Sequence, residues 1–279
     1  MKFPILLLAL FFGGTLLSNG QTPASNSFVS VKQGGVVRWA DHCIRCAMGN
    51  QRWRAVGGTC YYPIDLVKAT GYHRIYRWTK AGRRQYRTIQ VVKGEFKNED
   101  FKDFEKKEYV NVSAANVRRQ RREQAQIWPL FSRPETAPSF TLPLGQPARP
   151  LPATEGNFGV YRTFDGQPRN RHTGTDYPIG TGQPVLSMAE GRIVLVANHF
   201  FGGNSVFVDH GNGLVSMYLH LNGFAVKKGD QVKKGQKIGE VGETGRATGP
   251  HLHLGVRWHN ARIDPALLLA DPAKLPTVD

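Results

Sequence analysis

Cysteine is scarce in this 279-residue chain: there are three, Cys43, Cys46 and Cys60, and none follows position 60. A thiolate-rich structural metal site is therefore excluded from the C-terminal half, and so is a disulfide-stapled scaffold there. Acidic side chains are also few, 21 against 37 Lys and Arg, and the imbalance is one-sided. Residues 1–150 hold 24 basic and 10 acidic side chains, whereas residues 151–279 hold 13 and 11. Past residue 20 no stretch is long and apolar enough to span a bilayer, which takes about 20 residues. Helical periodicity is missing from Gly156 almost to the end, which excludes a bundle or a coiled coil for that half.

What is present begins with Lys2, followed by the apolar runs Ile5–Leu8 and Leu10–Phe12 and by the small residues Ser18 and Gly20. This pattern reads as a secretory signal peptide over residues 1–20, cut near Gln21, with no cysteine to receive a lipid. Export to the periplasm or to the extracellular cell wall is the expectation, with a monomer and no transmembrane segment after processing. In an oxidising compartment one pair among the three cysteines should bridge and leave an odd thiol. The spacing Cys43, Ile44, Arg45, Cys46 also admits a redox pair or half of a zinc site, but no second C-x-x-C accompanies it. The basic N-terminal half draws polyanions. Export disfavours nucleic acid and points to an anionic wall polymer. A run such as Arg118, Arg119, Arg121, Arg122 also fits a plain solvated helix face.

Short β-prone runs separated by glycines and charged turns, such as Arg74–Trp78 and Thr88–Val92, predict a small basic β domain over residues 21–110. Residues 111–155 read as a charged helix, capped by Ser113 and stopped at Pro129, and a linker carrying Pro134, Pro138, Pro143, Pro147, Pro150 and Pro152. From residue 156 to 279 the pattern is all-β. The clearest hairpin joins Val206–Asp209 to Leu214–Leu221 through His210, Gly211, Asn212 and Gly213. The Lys228–Glu240 stretch, with its repeated Lys-Gly pairs, reads as two short strands.

Five side chains in this half suggest chemistry: His172 and Asp176 in His-Thr-Gly-Thr-Asp, His220 closing a strand, and His251 and His253 in Gly-Pro-His-Leu-His-Leu. Singly, each reads as a surface or satisfied core residue. Together they supply the imidazoles and the carboxylate that zinc takes. Alternation puts His251, His253 and Gly255 on one side of a strand and Leu252, Leu254 and Val256 on the other. It also groups Ser216, Tyr218 and His220 on one face and Val215, Met217 and Leu219 on the other, so His220 is expected to leave the apolar side. A hydrolytic zinc takes three protein ligands and keeps a position open. Spacing alone does not say which three of the five.

The stretch from about Phe158 to Leu269 resembles the lysostaphin and LytM-type zinc peptidases of peptidoglycan. The resemblance rests on His172-x-Gly-x-Asp176, on Gly249-Pro-His251-Leu-His253, and on Tyr218-Leu-His220 between them. It implies a half-open antiparallel sheet of the β-hammerhead kind holding an extended peptide, preceded by a small β-rich module, immunoglobulin-like or of another β type. It further implies one Zn2+ bound by His172, Asp176 and His253, with His220 and His251 as the proton-handling pair. The expected activity is hydrolysis of stem peptides or cross-bridges in bacterial peptidoglycan. Two departures stand out: the nearest upstream tyrosine, Tyr161, lies eleven residues before His172, and Arg162 is displaced by one from its usual place after Phe158-Gly159. The competing readings are a wall-binding module that activates an amidase without cutting, a lipoyl-type swinging-arm domain around Lys228–Glu240, and a purely structural metal. The five intact positions, the export signal and the absence of cysteine weigh against these in turn.

Overall fold

The computed structural model describes residues 28–279, Glu155 excepted; the signal peptide expected at residues 1–20 lies outside the described residues. The protein is built mostly of strands. Val29–Lys32, Arg84–Val92, Gly71–Thr79, Cys43–Met48 and Gln51–Arg54 form a five-stranded sheet in that spatial order, its first pair parallel and the others antiparallel. Its inner face buries Cys46, Trp53, Ile75, Ile89 and Val91. Cys46 and Cys60 are bridged, and Cys43 is a free, buried thiol. Burial pushes the Cys43 thiol up, against the opposing pull of Arg77.

The larger sheet is antiparallel and runs Gly174–Tyr177, Leu252–Trp258, Leu214–Leu221, Gly203–Asp209, Gly191–His199, Gln231–Val232, with Ala261–Arg262 added to the Leu252–Trp258 strand. Its hairpin turn carries positive φ at Gly211, Asn212 and Gly213, where the Asn-Gly chemistry tolerates left-handed backbone. One face of this sheet forms the main core through Tyr218, Leu252, Leu254, Val256 and Trp258, all fully buried. Trp258 packs at 5.6 Å from Phe140 and 5.7 Å from Tyr61, and its indole donates to the Asn212 carbonyl.

Helix Ala114–Ile127 starts where Ser113 accepts from the Asn116 amide and is followed by a 3-10 turn over Trp128–Ser132. No helix among the described residues is long and apolar enough to cross a membrane. The proline-rich stretch is extended and lies against the large sheet: Phe140, Leu144 and Ala148 are buried, and Ser139, Leu144 and Gly145 donate backbone bonds to His210, Leu268 and Met188. The two halves share structure. Val36 and Tyr61 belong to the main core, strand Thr277–Val278 pairs with Val36–Trp39, and the side-chain amide of Asn212 exchanges hydrogen bonds with the backbone of Arg54.

Asp65 completes this junction by accepting from the Arg262 guanidinium at 2.6 and 3.0 Å and from the Arg262 amide at 2.8 Å. Burial pushes the Asp65 carboxyl up, but the bonds and charge of Arg262 outweigh it and hold the carboxyl below its ordinary value. A carboxyl depressed in the folded state stabilises fully above its unfolded value, about 3.9, and that stabilisation disappears as pH falls through the folded value. In urea titrations the wild type is therefore expected to exceed Asp65→Asn in stability at pH 6, with the gap closing below about pH 4. A gap that persists unchanged at pH 3 would contradict the ion pair.

Candidate metal centre

Antiparallel register brings the sequence motifs together. Asp176 lies directly opposite His253, which in turn lies opposite Leu219, so their side chains share a face. His172 precedes that edge strand and reaches the same point. Its Nε2 lies 3.0 Å from Asp176 Oδ1 and 2.9 Å from His253 Nδ1, and His253 Nδ1 lies 2.8 Å from the same Oδ1. The other two predicted residues stand beside this triangle: His251 Nε2 is 3.7 Å from Asp176 Oδ1, and the His220 ring is centred 4.9 Å from that of His251.

His220 does not arrive there by simple alternation. The face shared by Ser216 and Tyr218 is the buried core face, and the site lies on the opposite face, with Met217 and Leu219. The expectation that Ser216, Tyr218 and His220 lie together away from the apolar side is therefore corrected. His220 has φ +61°, in the left-handed region that non-glycine residues rarely enter, and this turn breaks the period of two. The imidazole thereby approaches His251 and His253, while its Nδ1 donates to the Thr244 carbonyl at 2.8 Å.

Backbone carbonyls accept only, so they set the tautomers. His172 donates from Nδ1 to the Asn157 carbonyl, and His251 from Nδ1 to the Gly249 carbonyl, each at 2.8 Å. In the neutral rings of His172, His220 and His251, Nε2 therefore carries a lone pair. The consequence for the triangle is electrostatic. Three contacts of 2.8 to 3.0 Å join a carboxylate oxygen and two ring nitrogens, and neutral rings have at most one proton, on His253 Nδ1, to share among them. A divalent cation satisfies all three lone pairs at once, and two imidazoles with one carboxylate form a donor set that zinc takes when a position is left open for chemistry. The residues present therefore fit the metal.

Titration preferences agree with that. Burial lowers the imidazole pKa of His253 to about 4 against the raising effect of Asp176. Burial, followed by the neighbouring His251 and His253, holds His220 well below its usual value. Burial pushes the Asp176 carboxyl up, but contact with His172 and His253 lowers it well below its ordinary value, and Arg162 donates to its other oxygen. Neutral rings and an anionic carboxylate are the ligand-competent forms.

Several supporting residues were missed in sequence. Asn157 accepts from the Asp176 amide through its side chain and from His172 through its carbonyl. Arg162 donates to Asp176 Oδ2 and to Glu99, each at 2.8 Å, so the displaced arginine orients the carboxylate. The Phe158-Gly159-Val160-Tyr161-Arg162 run had signalled the arginine but not its role. Tyr161 points elsewhere, its hydroxyl against Arg171. Beside Asp176 and His251 opens a cleft of about 650 Å³, walled by Phe101 and Asp100 on one side and Thr248 and Pro250 on the other.

The glycine inside His-Thr-Gly-Thr-Asp has a steric purpose: a Cβ on Gly174 would sit 2.5 Å from His253 Nε2 and 2.5 Å from the Leu254 carbonyl. Gly174→Ala is expected to displace the His253 ring and lower both bound zinc, measured by plasma mass spectrometry, and turnover by about 100-fold. Gly180→Ala, whose Cβ meets nothing within 4 Å, should keep both. Equal zinc content in the two variants would refute the steric account.

Comparison with known proteins gives the same location. Residues 170–265 match Peptidase family M23. Peptidoglycan DD-endopeptidase ShyA of Vibrio cholerae is 49% identical over 82 residues, which are 29% of this chain and 19% of ShyA. DD-carboxypeptidase/endopeptidase Mpg of Neisseria meningitidis is 38% identical over 108 residues, 39% of this chain and 25% of Mpg. The chain thus spans about a fifth to a quarter of the length of these curated relatives. A crystal structure from Pseudomonas aeruginosa, assigned to peptidase M23, superposes with a TM-score of 0.62 at 28% identity, covering 85% of this chain and 94% of that one. Residues 170–265, which carry all five clustered side chains, are thus a Peptidase family M23 domain.

Proposed function

We propose that the protein is a zinc-dependent endopeptidase that hydrolyses peptide cross-links of bacterial peptidoglycan outside the cytoplasm. The observation that carries this reading is the convergence of three lone-pair donors, flanked by two imidazoles with free Nε2, at the side of an open cleft. His172 Nε2, Asp176 Oδ1 and His253 Nδ1 would hold the ion, which supplies Lewis acidity toward a scissile carbonyl and toward a water. Everything else falls to the chain itself. Arg162 keeps the Asp176 carboxylate aimed inward and its charge intact, and Asn157 fixes the Asp176 backbone by accepting from its amide. Thr244 and Gly249 fix the tautomers of His220 and His251, so each presents a base within the site rather than an N–H. One of the pair accepts the proton of the attacking water, and the leaving amine is protonated from the same pair.

The substrate class follows from the relatives, whose names assign DD-endopeptidase activity on peptidoglycan. The cleft beside Asp176 and His251 accommodates an extended peptide. Five intact polar positions weigh against a non-cutting activator of an amidase, which has no need of a metal.

Purified cross-linked muropeptides incubated with the protein and analysed by mass spectrometry test the reading. Dimers are expected to fall to monomers, to persist under chelation, and to be cut again on adding Zn2+. His253→Ala should lose the metal and the activity together. His220→Ala and His251→Ala should keep the metal and lose about 10²–10⁴-fold in kcat. Dimers cut equally well after complete chelation would sink the metal-dependent reading.

A further inference from the structure

The five-stranded N-terminal sheet has a solvent face with a composition unlike an ordinary solubilising surface. On strand Gly71–Thr79 the residues Tyr72, Arg74, Tyr76 and Trp78 alternate outward, opposite to buried Ile75. Register continues the face across its neighbours. Trp78 lies opposite Arg84 on one side and Arg45 on the other, Arg45 lies opposite Arg54, and Tyr76 lies opposite Tyr86. One row therefore reads Arg84, Trp78, Arg45, Arg54 over four strands, spanning roughly 15 Å at the usual strand spacing.

The guanidinium groups are stacked on the rings. Arg84 lies 4.4 Å above Tyr76, Arg74 5.5 Å from Tyr86, and Arg52 5.6 Å from Trp78. Stacking orders the guanidinium planes and leaves their N–H edges free to bind. Acid is sparse on this face, where Lys32 pairs with Glu95 at 3.1 Å. Between residues 28 and 92 the carboxylates are Asp41, in the turn before Cys43, and Asp65, which is held by Arg262. The remaining ion pair of the patch is Arg54 with Glu135, at 3.8 Å.

Cation–π pairing by itself would explain a few such contacts on a solvated sheet. It does not explain Arg45 placed directly opposite Arg54, because like charges in register destabilise a sheet and Glu135, at 3.8 Å from Arg54, leaves Arg45 without an ion-pair partner among the described residues. A surface built only for solubility intersperses both signs. An anionic partner removes the repulsion. Tyr72 and Tyr86, 61% and 58% exposed, offer flat apolar faces beside the guanidinium groups. Flat rings suit the C–H faces of sugars, and guanidinium forks suit carboxylates.

We infer that this face binds the glycan strand of peptidoglycan through its sugar rings and the carboxylates of its stem peptides. The inference rests on the proposed function for its compartment and polymer. It is favoured over single-stranded nucleic acid, which the same residue types also suit, by the rigid junction between the halves. The sheet packs on the strands Val36–Trp39 and Cys60–Pro63, whose Val36 and Tyr61 enter the main core, and Asp65 just beyond them pairs with Arg262, so the face is held in place relative to the region with the cleft.

The test is co-sedimentation of the full chain, under chelation so that nothing is cut, with sacculi stripped of phosphate polymers by hydrofluoric acid. Arg74→Gln/Arg84→Gln is expected to weaken the apparent affinity about tenfold or more, two charge-assisted contacts being lost. Tyr86→Ala should weaken it less, and zinc-restored cleavage of soluble dimers should be unchanged in both variants, which serves as the folding control. If no form cuts dimers but the wild type still pellets and the Arg variant does not, the surface stands and the peptidase reading fails. Wild-type pelleting by the Arg variant overturns the inference. So does loss of pelleting once phosphate polymers are removed, or displacement from sacculi by single-stranded DNA at matched charge and salt.

Discussion

Asp176 faces His253 across an antiparallel ladder, and the site depends on that register. Side chains alternate with a period of two, so a slip of one residue would either send Asp176 into the core or bring Leu252 and Leu254 to the metal face, depending on which strand moved. The slip is prevented from the other side of the sheet, where Leu252, Leu254, Val256 and Trp258 are fully buried and have no alternative partner in solvent. Apolar burial thus holds the polar face in register. Gly174 permits the close pairing, because any side chain there would occupy the space of the His253 ring.

Charge is concentrated on the polar face to a degree that an apolar core could not tolerate. A carboxylate and two imidazoles meet within 3.0 Å with too few protons to pair them, and two of the three are oriented by a further contact: Arg162 on Asp176, Asn157 on His172. Such an arrangement is costly without a cation and stabilised by one, which ties metal binding to local folding. His220 carries a related strain. Its left-handed backbone costs on the order of 1 kcal/mol or more, and the return is an imidazole on the face that its strand would otherwise withhold.

The N-terminal half is joined to this sheet rather than tethered beside it. Strand Thr277–Val278 crosses to pair with Val36–Trp39, Trp53 stacks 4.5 Å from His259, and the proline-rich stretch supplies Phe140 and Leu144 to the main core. A wall of the cleft comes from Phe101, in a strand that pairs in parallel with Tyr161–Phe164. The residues before the peptidase region therefore shape its groove directly. They also carry the excess positive charge on a surface of fixed orientation.

Much of this was legible in the residues themselves. The all-β character, the hairpin at His210–Gly213, the bridging of one cysteine pair and the five clustered side chains follow from local patterns: alternation, turn chemistry and donor type. The placement of His251 and His253 on one side, with Leu252 and Leu254 on the other, needed only the period of a strand. Tertiary structure alone decided which cysteines pair, which face of the Leu214–Leu221 strand is buried, and how His220 crosses to the other. It also selected Asn157, Arg162 and Glu99, which lie far from their partners in sequence or in no recognisable spacing, and it aligned arginines from three strands, with a tryptophan from a fourth, into one row. The physical reason is common to all of these. A strand's own sequence states which residues share a side, but which side faces the core, and what stands across from it, depends on neighbours that only the folded sheet supplies.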